Sequence, residues 1–432
     1  MSPLSCETAL CDGPKNFPGQ GRHVLHGRFM PKPFAGLGNA VPAALLISPE
    51  PPYPAVGGGA LRTASIIEYL SRRYNLDLIV FRDPDGHDPA ACIPQGLARS
   101  VYTVDLPRHS RNPFARVCRN LVRWVRARPP LNDRFWGFSS QVSAVVEGKR
   151  YHLAVVEHFW CAPYIDQLSA QCSRVILDLH NIESALLAGY ERTEPWPVRR
   201  IFRRFRSACQ SMESYWLPRF HHLLVASDED RKRVHLLAPG CSASVYPNAL
   251  PVIQRPQLEE ENVIAFSGNL AYPPNISAIR FFRTRVWPLL RDRWPGLIWR
   301  VIGKNPEAVR KFINGDQRIE LTGPVEDAVQ ALAAAKVVVV PILAGSGTRI
   351  KILEAWAAAR AVVSTGEGAE GLPGRDGEHL LLARSPKDFT EAVSSLLESP
   401  HKRRELGQAG RTMYEHQFTW ESAWATLERN GI

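Results

Sequence analysis

The sequence predicts an α/β protein made of two domains, each built on a doubly wound parallel sheet. Short apolar, β-branched runs alternate with helical stretches along the chain, which is the rhythm of βαβ units. This rhythm breaks once, near residue 250, and then restarts. The length of 432 residues suits two or three domains of ordinary size.

The first domain is predicted from five runs that are nearly continuously apolar, as strands buried on both faces must be. They are Ala43–Ile47, Leu76–Phe81, Leu153–Val156, Val175–Leu179 and Leu223–Ala226. A helical stretch, Leu61–Arg73, lies between the first two runs. Open α/β sheets bind ligands beyond the carboxyl ends of their strands, so we expect the chemistry there.

A linker follows at Pro247–Pro251, where closely spaced prolines precede the acidic run Glu259–Glu261. Six further runs predict the strands of a second domain: Val263–Phe266, Ile298–Ile302, Ile319–Thr322, Val337–Ile342, Ala361–Ser364 and Leu380–Leu382. The predicted division is a mobile N-terminal extension (1–40), a first domain (41–248), a linker (249–262), a second domain (263–410) and a C-terminal helix (411–432). The cleft between two such domains is the expected site.

The composition narrows the class of protein and its partners. Lys and Arg total 53 against 42 Asp and Glu, and the net charge of +11 indicates polyanionic partners. The eight cysteines include no CxxC pair and are too dilute for a disulfide framework, so we expect a reducing compartment and no structural zinc. No apolar run approaches the ~18–20 residues that span a bilayer, and the start of the chain does not resemble a signal peptide. We expect a cytoplasmic protein.

The most informative stretch is a Gly-rich turn between a buried strand and a helix. Gly345 and Gly347 let the backbone approach a ligand closely, and the free N–H groups of the helix start favour an anion. Arg349 and Lys351 bring positive charge to the same turn, and Glu354 can accept hydrogen bonds from neutral hydroxyls. The combination suits a diphosphate with a ribose attached, although the residue order of a P-loop is missing.

Six motifs at predicted strand ends resemble those of the family 4 retaining glycosyltransferases (glycosyl transferases group 1). They are Pro54–Gly59, Asp178–Glu183, Tyr246–Asn248, Phe266–Asn269 with Pro274-Asn275, Gly345–Ala358, and Ala361–Thr365 with Gly368–Leu372. The resemblance runs from about Ala43 to Trp424. It implies the GT-B fold, in which an acceptor-side and a nucleotide-sugar-binding Rossmann-like domain face across a cleft. It also implies that residues 418–427 cross back onto the first domain.

The resemblance implies roles for residues on both sides of the cleft. Glu354 would hold the nucleotide ribose, and His180 would contact the donor sugar near the reacting carbon. The implied donor-binding residues are Gly57, Gly58, Gly59, Gly268, Asn269, Gly345, Ser346, Gly347, Thr348 and Glu354. The implied catalytic residues are His180, Arg349, Lys351 and Glu354, with the two cations neutralising the departing diphosphate. The family's chemistry retains the anomeric configuration, and it needs neither a metal nor a cofactor besides the nucleotide sugar as co-substrate.

Two departures from the family pattern concern the phosphate site. Many members carry two glutamates eight positions apart, and here Ser346 stands where the first would be. The usual Arg and Lys after the first strand of the second domain are also missing, and Asn269 and Asn275 stand near those positions. We infer that Arg349 and Lys351 take over the phosphate role, while the donor base and sugar stay open.

Several of these residues also have a purely structural interpretation. His180 could be a satisfied core histidine, and Gly57–Gly59 only a strand-to-helix turn. Arg349 and Lys351 could be ordinary solvated helix charges. Two further residues are left open between the cleft and another role: His158 and Glu370.

Arginine is concentrated in two segments of the first domain that contain no acidic residue. Arg108–Arg128 carries seven arginines interleaved with apolar side chains, and Arg199–Arg206 carries five. Basic amphipathic helices with aromatic residues suit an anionic bilayer, so a membrane surface, at the inner face of the plasma membrane, is a candidate partner. Solvated helix faces are the alternative. No RNP, KH or zinc-finger signature is present, and we expect no nucleic-acid partner.

The sequence therefore predicts a retaining, metal-independent, hexosyltransferase-like glycosyltransferase. It would move a sugar from a nucleotide-sugar donor to a glycan or lipid-linked acceptor in bacterial surface or exopolysaccharide biosynthesis. The alternative is a nucleotide-sugar 2-epimerase-like isomerase of the same fold, which would need acidic groups for proton abstraction at the sugar. The presence of Ser346 in place of a glutamate argues against that alternative.

Overall fold

The computed structural model describes residues 41–110, 112–343 and 349–432, and these form two parallel sheets with helices on both faces. The predicted fold class, two Rossmann-like domains, is confirmed. The predicted extension, residues 1–40, lies outside the described residues, as do Arg111 and residues 344–348. Within the described ranges no helix is long and apolar enough to cross a bilayer.

The first sheet has seven strands in the order β3-β2-β1-β4-β5-β6-β7, all parallel. The strands are β1 (Ala43–Ser48), β2 (Asn75–Arg82), β3 (Ser100–Asp105), β4 (Tyr151–Glu157), β5 (Cys172–Leu179), β6 (His222–Val225) and β7 (Ala243–Val245). The strand order reverses between β1 and β4, and such a switch point opens a crevice at the carboxyl ends.

The second sheet has six strands in the order β10-β9-β8-β11-β12-β13, again all parallel. The strands are β8 (Glu261–Ser267), β9 (Ile298–Ile302), β10 (Ile319–Gly323), β11 (Ala335–Val340), β12 (Ala361–Thr365) and β13 (Leu381–Ala383). Its switch point lies between β8 and β11.

Helices cover both faces of the two sheets, as buried parallel strands require. Those of the first half are α1 (Gly58–Ser71), α2 (Pro89–Cys92), α3 (Pro113–Val125), α4 (Pro130–Phe135), α5 (Ser139–Val146), α6 (Ile165–Leu168), α7 (Glu183–Thr193), α8 (Trp196–Trp216) and α9 (Asp228–Leu237). Those that follow are α10 (Pro273–Phe281), α11 (Trp287–Arg293), α12 (Glu307–Ile313), α13 (Ala328–Leu332), α14 (Ile350–Ala357), α15 (Gly366–Ala369), α16 (Pro386–Glu398), α17 (Pro400–Gln417) and α18 (Trp420–Arg429).

Two strands were missed by the sequence patterns, β3 and β7. Both lie at an edge of the first sheet. Four of the six residues of β3 are only half-buried, and β7 is three half-buried residues long. A search for continuously apolar runs finds strands that are covered on both faces, and an edge strand does not have that composition.

The chain crosses between the two domains twice, at the linker and near its end. The two crossings touch, because Leu250 donates its N–H to the carbonyl of Phe418 and accepts one from Trp420, both at 2.9 Å. After this point α18 packs on the first domain, where the Trp424 indole N–H donates to the carbonyl of Ser65 at 3.1 Å. The crossing that the resemblance implied for residues 418–427 is therefore present.

The acidic part of the linker is anchored to the second domain. Glu260 forms ion pairs with Arg360 at 2.8 Å and with Arg403 at 2.6 Å, and both arginine side chains are nearly buried. The linker therefore runs along the surface of the second domain as a fixed segment.

Candidate functional site

The carboxyl ends of the two sheets face each other, and a glycine of the first domain lies directly against the second. Gly58 opens α1 directly after the Gly-rich loop that follows β1. A Cβ on Gly58 would lie 3.2 Å from Cγ1 of Ile350, the first residue of α14 in the second domain. Any side chain at position 58 would crowd the opposite domain, so the two walls of the cleft meet at this glycine.

Three polar side chains of the first domain converge on Gly59. Measured from the position that a Cβ on Gly59 would occupy, Nδ1 of His180 lies at 3.7 Å, Nε2 of His158 at 3.8 Å and Oε2 of Glu50 at 3.9 Å. The three follow the ends of β5, β4 and β1. The lack of a side chain at Gly59 leaves the space between these groups open to a ligand.

His180 is held by two carboxylates behind it. Its Nε2 lies 2.7 Å from Oε2 of Glu157 and 3.3 Å from Oδ2 of Asp178. Burial alone would lower the pKa of His180, but the hydrogen bonds with Asp178 and Glu157 outweigh it and raise the pKa above its usual value. These contacts fix the ring with its Nδ1 directed at Gly59.

A buried arginine balances these carboxylates. Arg62, on α1, donates from Nε to Oδ2 of Asp178 at 2.7 Å and from Nη2 to Oδ1 at 2.5 Å. Burial would raise the pKa of Asp178, but Arg62 more than offsets this and holds it below its usual value. Glu157 lacks such a partner, and burial followed by the charge of Asp178 raises its pKa to about 7.

Glu157, Asp178 and His180 each offer a ligand atom within 4.8 Å of the others, a grouping that could hold a metal ion. The donor set does not suit one, because the guanidinium of Arg62 already binds both oxygens of Asp178 and supplies the positive charge. We therefore derive no step through a metal.

His158 lies in the wall of the cleft and has a strained backbone. Its φ is +62°, which non-glycine residues rarely adopt. Its ring stacks on that of Trp160 with centroids 4.3 Å apart, and it lies against the ring of His180 at 3.6 Å with the two planes tilted by 31°. Burial, and then the charge of His180, hold its pKa well below the usual value. The pKa values of the two neighbouring imidazoles are therefore shifted in opposite directions.

Glu50 is the acidic group that faces both domains. It keeps exposed surface, yet the walls of the cleft desolvate its carboxyl and raise its pKa. His180 of the first domain and Lys304 of the second act in the opposite direction, since both attract the carboxylate. Glu50 therefore marks the centre of the cleft.

Lys351 is the cation on the opposite wall. A Cβ on Gly268 would lie 2.1 Å from its Nζ, so only glycine at 268, with φ +148°, lets the lysine occupy this position. The ammonium also lies 5.2 Å from the ring centroid of Phe266. Within the described ranges Lys351 has no hydrogen-bond or ion-pair partner, and burial lowers its pKa to about 8.

Glu354 lies one turn further along α14 and is half-buried. Its Oε2 accepts a hydrogen bond from the hydroxyl of Ser267 at 3.0 Å. Burial raises the pKa of Glu354, and Lys351 and Ser267 oppose this effect. A carboxylate that already accepts one hydroxyl at the rim of the cleft can accept others.

Arg349 differs from Lys351 in having partners. It donates to the carbonyl of Glu367 from Nε at 3.1 Å and from Nη2 at 2.9 Å, and Nη2 lies 3.7 Å from Oε2 of Glu370. Glu370 in turn accepts from Arg233 of the first domain at 2.7 Å. Glu370 thus bridges the two domains, and the guanidinium of Arg349 lies near the same carboxylate.

Asn269 and Asn275 shape the turn after β8. The side-chain oxygen of Asn269 accepts from the N–H of Ala271 at 3.1 Å and from Nδ2 of Asn305 at 2.9 Å. Nδ2 of Asn275 donates to the carbonyl of Asn269 at 2.6 Å. These amides hold the loop locally, in the place where the family usually carries phosphate-binding cations.

The structure brings most of the predicted site residues together and adds others. His180 and Gly57–Gly59 lie on one wall, and Gly268, Lys351 and Glu354 on the other. Four predicted residues lie outside the described residues: Gly345, Ser346, Gly347 and Thr348. Sequence reasoning missed Glu50, Arg62 and Glu157; the first and third stand at the ends of β1 and β4, a signal that could have found them.

A cavity of about 410 Å³ opens beside the cleft, between α7 and α10. Its walls come from both domains, with Tyr190 and Glu194 on one side and Pro273, Arg280 and Leu343 on the other. Leu343 is the last described residue before the Gly-rich turn in the sequence.

Residues 261–399 match the sequence model of the family described as "Glycosyl transferases group 1". A Klebsiella pneumoniae protein, described as an uncharacterized 44.6 kDa protein in the cps region, is 22% identical over 367 residues, which cover 81% of this chain and 89% of that protein.

Solved structures share the architecture of the whole chain. Sucrose-phosphate synthase from Thermosynechococcus elongatus has a TM-score of 0.67 at 16% identity, with 90% of this chain and 98% of that chain covered. Anabaena HepE, solved with UDP and glucose, has a TM-score of 0.63 at 12% identity, with 89% and 98% covered. TarM has a TM-score of 0.64 at 9% identity, with 90% and 98% covered.

These comparisons confirm the resemblance that the motifs indicated. The chain has the GT-B fold, and its second domain matches the glycosyl transferases group 1. Together they support a glycosyltransferase.

The buried ion pair leads to a prediction about stability. Arg62→Leu leaves the charge of Asp178 buried without its partner, so the free energy of unfolding should fall by about 3–5 kcal/mol. Arg82→Leu is the matched control, because Arg82 binds Asp105 through the same two-pronged geometry at an exposed site, and it should cost less than about 1 kcal/mol. Urea denaturation of both variants measures the difference; equal losses would contradict the assignment.

Proposed function

We propose that the chain is a retaining glycosyltransferase that moves a sugar from a nucleotide-sugar donor to a glycan or lipid-linked acceptor. The observation that carries the proposal is the desolvated ammonium of Lys351, one turn before Glu354 on one wall, opposite the His180 cluster on the other. The family match of residues 261–399 covers this donor wall.

The donor half fits a nucleoside diphosphate. Lys351 supplies a desolvated positive charge for the diphosphate, and Glu354 accepts hydrogen bonds from the ribose hydroxyls. The structure of HepE was solved with UDP and glucose, which supports a nucleotide sugar as the donor class. The Gly-rich turn at 345–348 would add backbone N–H groups to the phosphate site.

In the proposed reaction the bond between the anomeric carbon and the diphosphate oxygen breaks as an acceptor hydroxyl oxygen bonds to the same face of that carbon. The leaving diphosphate gains negative charge, which Lys351 stabilises, with Arg349 adding a more distant positive charge. The acceptor proton passes to the departing phosphate. His180, whose Nδ1 is directed at Gly59, would bind a sugar hydroxyl and orient the ring.

The acceptor would enter from the first-domain side, and the cavity between α7 and α10 offers a wall for it. The relative in the cps region of Klebsiella pneumoniae supports a place in bacterial surface or exopolysaccharide assembly. The proposed location is the cytoplasm, with attachment to the inner face of the plasma membrane.

Removal of either donor-wall side chain should abolish most of the transfer. Lys351→Ala should lower turnover by about 10²–10³, the usual cost of losing one group that stabilises transition-state charge. Glu354→Ala loses the hydrogen bonds to the ribose and should lower turnover at subsaturating donor by about tenfold or more. Turnover is measured with a panel of radiolabelled nucleotide sugars and bacterial membrane extract as the source of acceptor. Lys387→Ala, at an exposed lysine of α16, is the control and should keep full activity. Unchanged turnover in the first two variants would refute the site.

The donor base can be identified by thermal shift. The protein is melted with UDP, GDP, ADP, CMP or dTDP, and the nucleotide that binds should raise Tm by mass action. Lys351→Ala should remove the shift without lowering Tm itself. Incubation of the protein with the identified donor and no acceptor distinguishes the transferase from the alternative function. A 2-epimerase would produce an epimerised donor under these conditions.

Nucleotide affinity should depend on pH through Lys351. Its pKa is lowered to about 8, so the ammonium that binds phosphate is largely present at pH 7 and largely lost at pH 9. Affinity for the nucleoside diphosphate should fall about tenfold over this range, since one unit above the pKa a tenth of the lysine stays charged. Lys351→Arg stays charged and should flatten the profile in calorimetric titrations. A flat wild-type profile would contradict the role of Lys351.

A further inference from the structure

Helix α3 presents its apolar side to solvent. Four residues that lie along one side of it are strongly exposed: Phe114 at 77%, Val117 at 53%, Leu121 at 57% and Val125 at 58%. They recur at spacings of three and four, so they form one continuous stripe. A surface helix of a globular protein normally turns such a stripe toward the core.

The arginines of α3 lie on the opposite side and face the protein. Arg123 is 3% exposed and donates to Asp133 of α4 at 2.9 Å. Arg119, one turn earlier, and Arg116, two turns earlier, are half-buried. This corrects the expectation that the arginines of 108–128 as a group face a membrane. Arg123 anchors the helix to α4, and the apolar stripe lies on the side opposite this anchor.

Arginine side chains of the neighbouring helix α8 lie beside this stripe. Arg204 of α8 donates to the carbonyls of Trp124 at 2.5 Å and Val125 at 2.7 Å, and its guanidinium lies 5.1 Å from the Trp124 ring centroid. A groove of about 530 Å³ between the helices is lined by Trp124, Ala127, Arg200, Arg203, Arg204, Ser207, Ala208 and Ser211. The two arginine-rich segments therefore form one surface, here called the α3–α8 surface: the stripe of Phe114, Val117, Leu121 and Val125 with this groove.

We propose that the α3–α8 surface docks on an anionic lipid bilayer, with the stripe of α3 inserted among the acyl chains and the groove arginines at the lipid phosphates. The charge pattern selects this occupant. Residues 108–128 and 196–212 contain no acidic side chain, so the apolar stripe has a cationic border that matches a layer of anionic headgroups. Trp124 lies between the two zones, the position that tryptophan favours at a membrane interface.

The surface lies close to the cleft. Helix α4 follows α3 and ends at Phe135, whose ring is parallel to that of Trp160 with centroids 5.6 Å apart. Trp160 in turn stacks on His158 in the cleft wall. A docked protein would hold its cleft near the bilayer, where a lipid-linked acceptor would be located. Only this consequence rests on the proposed function, in which a lipid-linked acceptor is one substrate class.

Vesicle sedimentation of the full chain tests the proposal. We expect binding to vesicles of equal parts phosphatidylglycerol and phosphatidylcholine, none to pure phosphatidylcholine, and weaker binding at high salt. The double variant Phe114→Ser with Leu121→Ser should reduce binding more than about tenfold, because two inserting side chains are lost. Leu236→Ser is the matched control, since Leu236 is 83% exposed on α9 outside this surface, and it should bind like wild type.

A second pair of variants tests the border. Arg200→Gln with Arg204→Gln should weaken binding to anionic vesicles and reduce its salt dependence. All substituted side chains are exposed, so an unchanged Tm shows that each variant is folded. The vesicles carry no sugar or nucleotide, so this result and the nucleotide thermal shift can fail independently.

Two outcomes would overturn the proposal. One is that the wild-type protein does not bind anionic vesicles, or that the double variant Phe114→Ser with Leu121→Ser binds them as well as the wild type does. The other is that a second copy of the chain, rather than a bilayer, covers the α3–α8 surface. Sedimentation velocity without lipid would then show a dimer for the wild type and a monomer for the double variant Phe114→Ser with Leu121→Ser.

Discussion

The buried ion pair between Arg62 and Asp178 is the interaction on which the first wall of the cleft depends. The guanidinium binds both oxygens of Asp178 at the end of β5, and its remaining nitrogen donates to the carbonyl of Tyr246 at 2.5 Å and to Oδ1 of Asn248 at 3.1 Å. One side chain thus joins helix α1, the central strands and the start of the linker. Asp178, kept ionised by Arg62, can then orient His180.

The two walls use charge in different ways. The first is nearly self-compensated, because Arg62 and His180 balance Asp178 and Glu157 within a few ångströms. The second holds Lys351 against Gly268, where none of the described residues forms an ion pair with it, and burial lowers the pKa of its ammonium. A ligand that brings negative charge is therefore attracted to the second wall, whereas the first wall offers fixed hydrogen-bonding groups.

Much of the fold could be predicted from the local pattern of apolar residues in the sequence, because strands covered on both faces must be apolar throughout. The site was predictable where a residue directly follows such a strand, as His180 does. Arg62 was not, since an arginine on a helix normally indicates solvent and its partner lies 116 positions away. Helix α3 shows the same limit: its periodicity reveals two sides, but only the packing against Asp133 shows which side faces the protein.

The paired crossings at Leu250 and Phe418 have a mechanical consequence. Because the two connections are hydrogen-bonded to each other, any relative motion of the domains has to bend both of them at the same place. The ion pair of Arg233 with Glu370 joins the domains away from these crossings and would be the first bond to break on opening. Since Nη2 of Arg349 lies 3.7 Å from the same carboxylate, a negative charge bound at the donor wall would change the electrostatics of this interdomain ion pair.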